Sequence, residues 1–241
     1  MRQKTRRVIL VISLLFFPMT MNYFSPYVVI DGALSGIVTG SLITFILMFL
    51  TSLFLGRAWC AWLCPMGGLA EVLLPVNPKK VDAKRMRILR YSVFTLWFSI
   101  IPISFVMAGG VRGINPFHLT ESGVSVDEPI KYIMYLMVVL VFLALTILIG
   151  RRGACHGICW MSPFMEAGSK IAETMKLPRL RVVSEPENCI ACHRCDHVCP
   201  MSIQVSELMK QGSIQSSDCI QCANCVDECP KHVLQLKINR K

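Results

Sequence analysis

The chain has 241 residues, 54% of them hydrophobic and only 17% charged, with a net charge of +10 and a mean hydropathy of +0.53. A soluble domain carries about 25% charged residues, so this balance argues against a soluble protein and for a membrane one. Net base of this size serves nucleic acid, anionic lipid or an acidic partner, but here the basic residues cluster beside apolar stretches, which is a topology signal rather than a nucleic-acid footprint.

Four apolar stretches follow in chain order: Val8–Phe24, Leu34–Leu55, Tyr91–Ala108 and Tyr132–Ile149. Three approach the roughly 20 residues that cross a bilayer as a helix. The first is shorter and contains Pro18. Arg2, Lys4, Arg6 and Arg7 precede it, as they would in a signal peptide, but no small-x-small cleavage site follows; it is expected to be a retained anchor helix. Lys79, Lys80, Lys84, Arg85, Arg87 and Arg90 lie between the second and third stretches, and Arg151 and Arg152 follow the fourth. The positive-inside rule places these segments and both termini in the cytoplasm, with the Lys79–Arg90 run also touching anionic headgroups. The spans themselves are expected to hold no internal ionisable residue, which argues against a channel or pump built on buried charge. The outer loops offer Asn22, Asp31, Asn115, His118 and Glu121, ordinary loop polarity that a quinol giving up protons there would also need.

Gly56-Arg57-Ala58-Trp59-Cys60-Ala61-Trp62-Leu63-Cys64-Pro65 follows the second span, and Gly150-Arg151-Arg152-Gly153-Ala154-Cys155-His156-Gly157-Ile158-Cys159 follows the fourth. Each half therefore reads helix, outside loop, helix, Gly-Arg, C-x3-C. Two halves of the same orientation predict a pseudo-two-fold axis along the membrane normal. A helical C-x3-C puts both thiols on one face, and the symmetry then gathers Cys60, Cys64, Cys155 and Cys159 at the cytoplasmic edge of the bundle. Four converging thiols suit a [4Fe–4S] or [2Fe–2S] cluster, a copper or zinc site, or a redox-active dithiol. Isolated cysteines would simply be packed small hydrophobes. Trp59, Trp62 and Trp160 are expected in an interfacial aromatic belt, and His156 at the surface.

Residues Pro163–Lys176 are expected to form an amphipathic helix lying on the membrane, and Leu177–Pro186 an extended linker. Two copies of C-x2-C-x2-C-x3-C-P follow, at Cys189, Cys192, Cys195, Cys199-Pro200 and at Cys219, Cys222, Cys225, Cys229-Pro230. This is the bacterial ferredoxin run, in which the fourth cysteine of each copy ligates the other cluster. One [4Fe–4S] cluster then takes Cys189, Cys192, Cys195 and Cys229, and the second takes Cys219, Cys222, Cys225 and Cys199. Paired zinc ribbons are the competing reading of C-x2-C pairs, but zinc needs no trailing Cys-Pro. A unit this small, with Val205–Gln211 as a short helix and Val233–Ile238 as an edge strand, relies on cluster ligation for its constraint. His193 and His197 are expected to face solvent.

The expected fold is thus an all-α four-helix transmembrane bundle of two parallel two-helix repeats plus a C-terminal α+β 2[4Fe–4S] ferredoxin-like domain. The boundaries are 1–162 for the bundle, 163–186 for the connecting helix and linker, and 187–241 for the ferredoxin-like domain. Together these motifs resemble the NapH family of polytopic quinol dehydrogenase subunits, over essentially the whole chain, with the NosR, CcoG and MauN groups as relatives. The match carries over to Cys60, Cys64 and Pro65; the second copy departs, since Cys159 is followed by Trp160 and the nearest proline is Pro163. The resemblance implies a membrane electron-transfer subunit between quinone and other subunits of a respiratory redox complex, with lipid contacts and no nucleic acid. The alternatives are a copper-handling assembly or metal-reduction factor, favoured by bound copper without a quinone response, and a redox sensor or anchor for a cytoplasmic complex.

Overall fold

The computed structural model describes residues 1–239. The first apolar stretch is broken: α1 (Arg2–Leu15) and α2 (Phe17–Thr20) with its following 3-10 turn meet at a 62° bend at Phe16. Pro18 sits in the first turn of α2, where its missing N–H is tolerated and a new helix begins rather than the old one continuing.

The second stretch is also divided. α3 (Pro26–Leu34) ends before Gly36, whose φ of +71° is the left-handed backbone that glycine adopts without strain. A short strand β1 (Ile37–Thr39) follows, and α4 (Gly40–Leu55) starts with the Thr39 hydroxyl accepting the Leu42 N–H at 3.3 Å. At 1.5 Å per residue, the 16 residues of α4 span about 24 Å, short of the roughly 30 Å hydrocarbon core. β1 pairs in parallel with β2 (Gly113–Asn115) from the loop between the third and fourth stretches.

α5 (Ala58–Trp62) and α6 (Pro65–Val72) carry the first C-x3-C and its exit. α7 (Ala83–Met107) begins where the Asp82 carboxylate accepts the Lys84 N–H at 3.0 Å, and α8 (Pro129–Ile149) begins with a proline. These two helices are long and apolar enough to cross a membrane, and the bent α1–α2 pair is a third if counted as one span. Leu96, Val106, Met134, Leu140 and Leu148 point outward from them, an apolar surface that suits lipid and not water. Of the four expected spans, the first is kinked and the second is interrupted at β1, which leaves α4 short.

α9 (Gly153–Gly157) carries the second C-x3-C, and α10 (Ser162–Thr174) follows. α10 is two-sided, with Lys170, Ile171 and Thr174 exposed on one face and Met165, Glu166 and Ala172 buried on the other. It packs lengthwise on α4, where Phe164 stacks on Phe45 at 5.5 Å and meets Trp97 of α7 at 5.6 Å. Aromatic pairs of this kind add about 0.5–1.5 kcal/mol beyond their buried area. The expected linker is in part a strand, β3 (Arg179–Ser184), antiparallel to β4 (Leu234–Asn239) with Val182 opposite Leu236. Between them lie α11 (Arg194–His197), α12 (Val205–Leu208) with a 3-10 turn to Gln211, and α13 (Asn224–Asp227). The short helix after Val205 and the closing strand fall where the sequence put them, and His193 and His197 are exposed.

Candidate metal centre

Each ferredoxin-type run folds by the same backbone device. Ala191 and His193 in the first run, and Gln221 and Ala223 in the second, all take left-handed φ between +51° and +62°. Non-glycine residues rarely hold this conformation, and such positions gather at binding loops. The alternation curls each run around a cavity. Cys189, Cys192, Cys195 and Cys229 line one cavity; Cys199, Cys219, Cys222 and Cys225 line another. Each cavity thus draws three thiols from one run and the fourth from the other. Cys189 and Cys192 are exposed, whereas Cys199, Cys222 and Cys225 are buried.

The two C-x3-C pairs converge as well. Cys60 lies in α5 and Cys64 just before α6; Cys155 lies in α9 and Cys159 just beyond it. Neither pair sits on one continuous helix, because both helices end between the two thiols. All four thiols nonetheless line a single enclosed cavity, together with Arg57 and Arg152. The departure after Cys159 is small in effect: α10 begins with Pro163 in its first turn, as α6 begins with Pro65. Met201 and Ile220 close this cavity from the ferredoxin side and also line the one holding Cys222.

Among the described residues, no three His, Cys, Asp or Glu side chains converge closely enough to hold a single metal ion. Thiols spread around a cavity fit a multi-iron cluster better, because its ligands attach at separate irons. Burial pushes the Cys159 and Cys199 thiols up to about 12 and the Cys219 thiol up to about 11. Holding a cluster as thiolates therefore releases protons and needs compensating positive charge.

That charge is present. Arg6, Arg57, Arg90 and Arg152 are all at most 2% exposed, against three buried carboxylates, Glu71, Glu166 and Asp218. Arg57 lies 3.2 Å from Glu166 and 3.8 Å from Asp218; Arg90 lies 2.9 Å and 3.1 Å from the same two. Arg152 pairs with Glu71 at 3.2 Å and donates to the Cys60 carbonyl at 3.0 Å, and Arg6 also pairs with Glu71. Four cations against three anions leave one positive charge in excess. Arg57 Nε, Arg90 Nε and Nη1, Arg152 Nε and both ring nitrogens of His156 find no hydrogen-bond partner among the described residues. Burial pushes His156 down to about 4, so the ring is neutral.

A second, larger cavity of about 400 Å³ adjoins this site. Its walls are mostly apolar, from α2, α3 and α8, and Cys64, Met66, Phe142 and Met161 are common to both cavities. Asn22, Ser125 and Lys131 supply its polar groups. Trp160 is held in its wall by an N–H donated to the Phe24 carbonyl at 2.9 Å.

Comparison with known proteins agrees with this architecture. The 4Fe-4S binding domain family matches residues 37–81 and again 132–178, each match enclosing one C-x3-C pair. The 4Fe-4S dicluster domain family matches residues 181–230. NapH, a ferredoxin-type protein of Escherichia coli K12, is 23% identical over 82% of this chain and 67% of its own length. MauN, the methylamine utilization ferredoxin-type protein of Methylobacillus flagellatus, is 26% identical over 89% and 75%. These relatives and both domain matches support a NapH-type polyferredoxin family for the chain. YccM of Escherichia coli K12 is 23% identical over 85% of this chain, which spans only 57% of that relative's length. No solved structure matches. The family assignment makes this an iron–sulfur electron-transfer protein with apolar helices suited to a membrane.

Sequence reasoning missed the buried charge. Arg90, just ahead of the stretch Tyr91–Ala108, lies in α7 and is 1% exposed, and it and half-exposed Arg87 pair with Asp218. The missed signal is R-x2-C-x3-C: Arg57 and Arg152 each stand three residues before the first cysteine of their pair. His156 is buried, not at the surface, since α9 turns it inward. Trp62 donates to the Gln221 carbonyl at 3.5 Å, so it and Trp160 are tied to neighbouring segments rather than free at an interface. Among the outer-loop candidates, His118 Nε2 and Asp31 Oδ2 pair at 2.7 Å, and Asn22 donates to the Leu119 carbonyl at 2.7 Å.

Proposed function

We propose that this chain is the membrane-bound subunit that connects the quinone pool to a redox partner through three iron–sulfur centres. The observation that carries the reading is the shared wall of Cys64, Met66, Phe142 and Met161 between the 400 Å³ apolar cavity and the four-thiol cavity. A flat ring in an apolar slot with a few polar groups at its rim is the general form of a small-molecule site. Here Cys64 is part of the slot itself, so a bound ring lies in contact with a ligand of the neighbouring centre.

The two ferredoxin-type clusters take Cys189, Cys192, Cys195, Cys229 and Cys219, Cys222, Cys225, Cys199. The third takes Cys60, Cys64, Cys155 and Cys159, supported by the shared enclosure and by the excess buried positive charge, which a four-thiolate cluster neutralises. When bound, such clusters exchange single electrons. The protein's own groups do the rest. Phe142, Met66 and Met161 exclude water between the two cavities. Trp160, fixed by its hydrogen bond, holds the slot open, and Lys131 and Asn22 face the polar end of a ring. The positive-inside pattern supports a cytoplasmic ferredoxin unit, and the twice-matched C-x3-C halves support a two-repeat membrane core.

The test uses the full chain, purified without oxygen and chemically reduced. Reoxidation by a menaquinone analogue is followed by visible absorbance in the wild type and in Val138→Trp, which fills the cavity from α8 away from the thiols. The expected result is slowing of at least about tenfold with unchanged iron content, a barrier rise of about 1.4 kcal/mol. Equal rates would remove the cavity from the electron path.

A further inference from the structure

Among the described residues, the deepest buried arginines, Arg6, Arg57, Arg90 and Arg152, gather around one end of the series of cavities; Arg179 and Arg181 of β3 are also buried, and Arg179 acts on Cys219 of the middle cavity. Arg57 and Arg152 line the four-thiol cavity. They occupy equivalent places in the two halves, three residues before Cys60 and Cys155. Their Nε–H groups have no partner among the described residues, and neither do two nitrogens of Arg90 close by. Glu166, Asp218 and Glu71 position these side chains without neutralising all of them, since four buried arginines face three buried carboxylates.

The opposite end is different. Cys189 and Cys192 are exposed to water, and the carboxylate of Asp196 lies against Cys195, with Oδ1 3.9 Å from Sγ. A cluster gains one negative charge on reduction. Buried cations and N–H donors favour the reduced form and raise its potential, whereas an adjacent carboxylate lowers it. Guanidinium charge is permanent, so the arginine contribution does not itself titrate; Asp196 at the other end pairs with His193 at 3.0 Å.

We propose that Arg57 and Arg152 hold the Cys60/Cys64/Cys155/Cys159 centre at the highest potential of the three, so that electrons run from the exposed Cys189–Cys192 end toward the apolar cavity. The inference rests on the three-centre reading above and adds a direction to it. A low-potential one-electron donor from solution delivers electrons at the Cys189–Cys192 loop. Two such electrons and two protons from solvent convert a quinone in the cavity to quinol, and two donor molecules are oxidised. Arg57 and Arg152 act as positioning residues for charge and touch no substrate.

The experiment is an EPR-monitored redox titration of the full chain in detergent. Cys60→Ser with Cys155→Ser identifies which signal belongs to the four-thiol centre. The expected wild-type order puts that signal's midpoint above the other two. Arg57→Gln and Arg152→Gln should each lower its reduced-to-oxidised ratio at fixed potential by at least about tenfold, or about 59 mV for one electron. The Cys189/Cys192 centre should move less, and Arg57→Lys should recover most of the shift. Glu166→Gln removes a counter-charge, so it should raise the midpoint, which keeps the inference testable if a glutamine variant fails to fold. A four-thiol midpoint below the other two, or one unmoved by these variants, would overturn the direction. About eight irons per chain instead of about twelve, with no signal lost in the cysteine double variant, would instead overturn the third centre itself.

Discussion

Glu71 is the anion on which the membrane half closes, and replacing it by alanine is the sharpest test of the buried charge network. Its carboxylate is 5% exposed and pairs with Arg6 of α1 and with Arg152 ahead of α9. Arg6 Nη1 also donates to the Ala61 carbonyl at 3.3 Å, and Arg152 to the carbonyls of Cys60 and Gly67 at 3.0 and 3.3 Å. One carboxylate therefore ties the first helix to both C-x3-C segments. Glu71→Ala leaves two guanidinium groups, each fully buried, without their counter-charge. Removing one partner of a buried pair costs about 3–5 kcal/mol, because the remaining charge stays in a low-dielectric site. That is more than a hundredfold in the unfolded fraction. Glu71→Gln keeps one acceptor oxygen and should cost less than the alanine. Tryptophan emission during denaturant titration of the detergent-solubilised protein measures both. A cost below about 1 kcal/mol for Glu71→Ala would place these arginines in water and remove the charge argument for the four-thiol centre.

Gly168→Ala should destabilise by about 1–3 kcal/mol in the same titration, because its Cβ would lie 2.0 Å from Ser52 Oγ and 2.9 Å from the Phe49 carbonyl of α4. Ser52→Ala in that background should recover only part, since the carbonyl is backbone; full recovery would refute the close helix approach. Burial pushes Glu71 and Asp218 upward, but Arg152 and Arg6 for the first, and Arg57 and Arg90 for the second, outweigh it and hold both below the ordinary carboxylate range. Their stabilisation is therefore complete above about pH 5 and is lost as pH falls through the lowered values, so stability that rises on acidification below pH 4 would contradict the pairing. Cys192→Ala should remove one cluster, about four irons per chain, and unchanged iron content would refute the ligand assignment.

What the sequence made legible was local or repeated. The ferredoxin runs were readable because C-x2-C-x2-C-x3-C-P dictates its own loop, and the left-handed residues simply complete it. The four-thiol convergence was readable through the repeat, although the thiols straddle helix ends instead of sharing a helix face. Hydropathy summed Leu34–Leu55 into one span because glycine and threonine do not lower the average enough, yet Gly36 turns the chain and Thr39 caps a new helix. The strand Arg179–Ser184 looked like a linker because its partner, Leu234–Asn239, comes only at the end of the described chain. The arginine network was invisible for the same reason: its carboxylates at positions 71, 166 and 218 come from three segments that only the fold brings together.

Shared walls give the proposed reading its order, and the order constrains where partners can act. The apolar cavity shares Cys64 and Met161 with the four-thiol cavity, which shares Met201 and Ile220 with the cavity of Cys219 and Cys222. Gln221, between those two cysteines, accepts the Arg57 N–H at 2.8 Å, and the Arg57 side chain donates to the Ser217 carbonyl at 2.7 Å. The second ferredoxin loop is thus bonded to the residue that lines the four-thiol cavity, and the joint runs through the Gln221 and Arg57 side chains. The first loop has the water-exposed thiols, Cys189 and Cys192. In the proposed reading a soluble partner approaches at this most exposed loop, and a membrane-dissolved ring at the other end. Loosening the middle joint by Gln221→Ala should therefore slow passage between the two ends while leaving each cluster's iron in place, an effect that no purely structural role for the four thiols would produce.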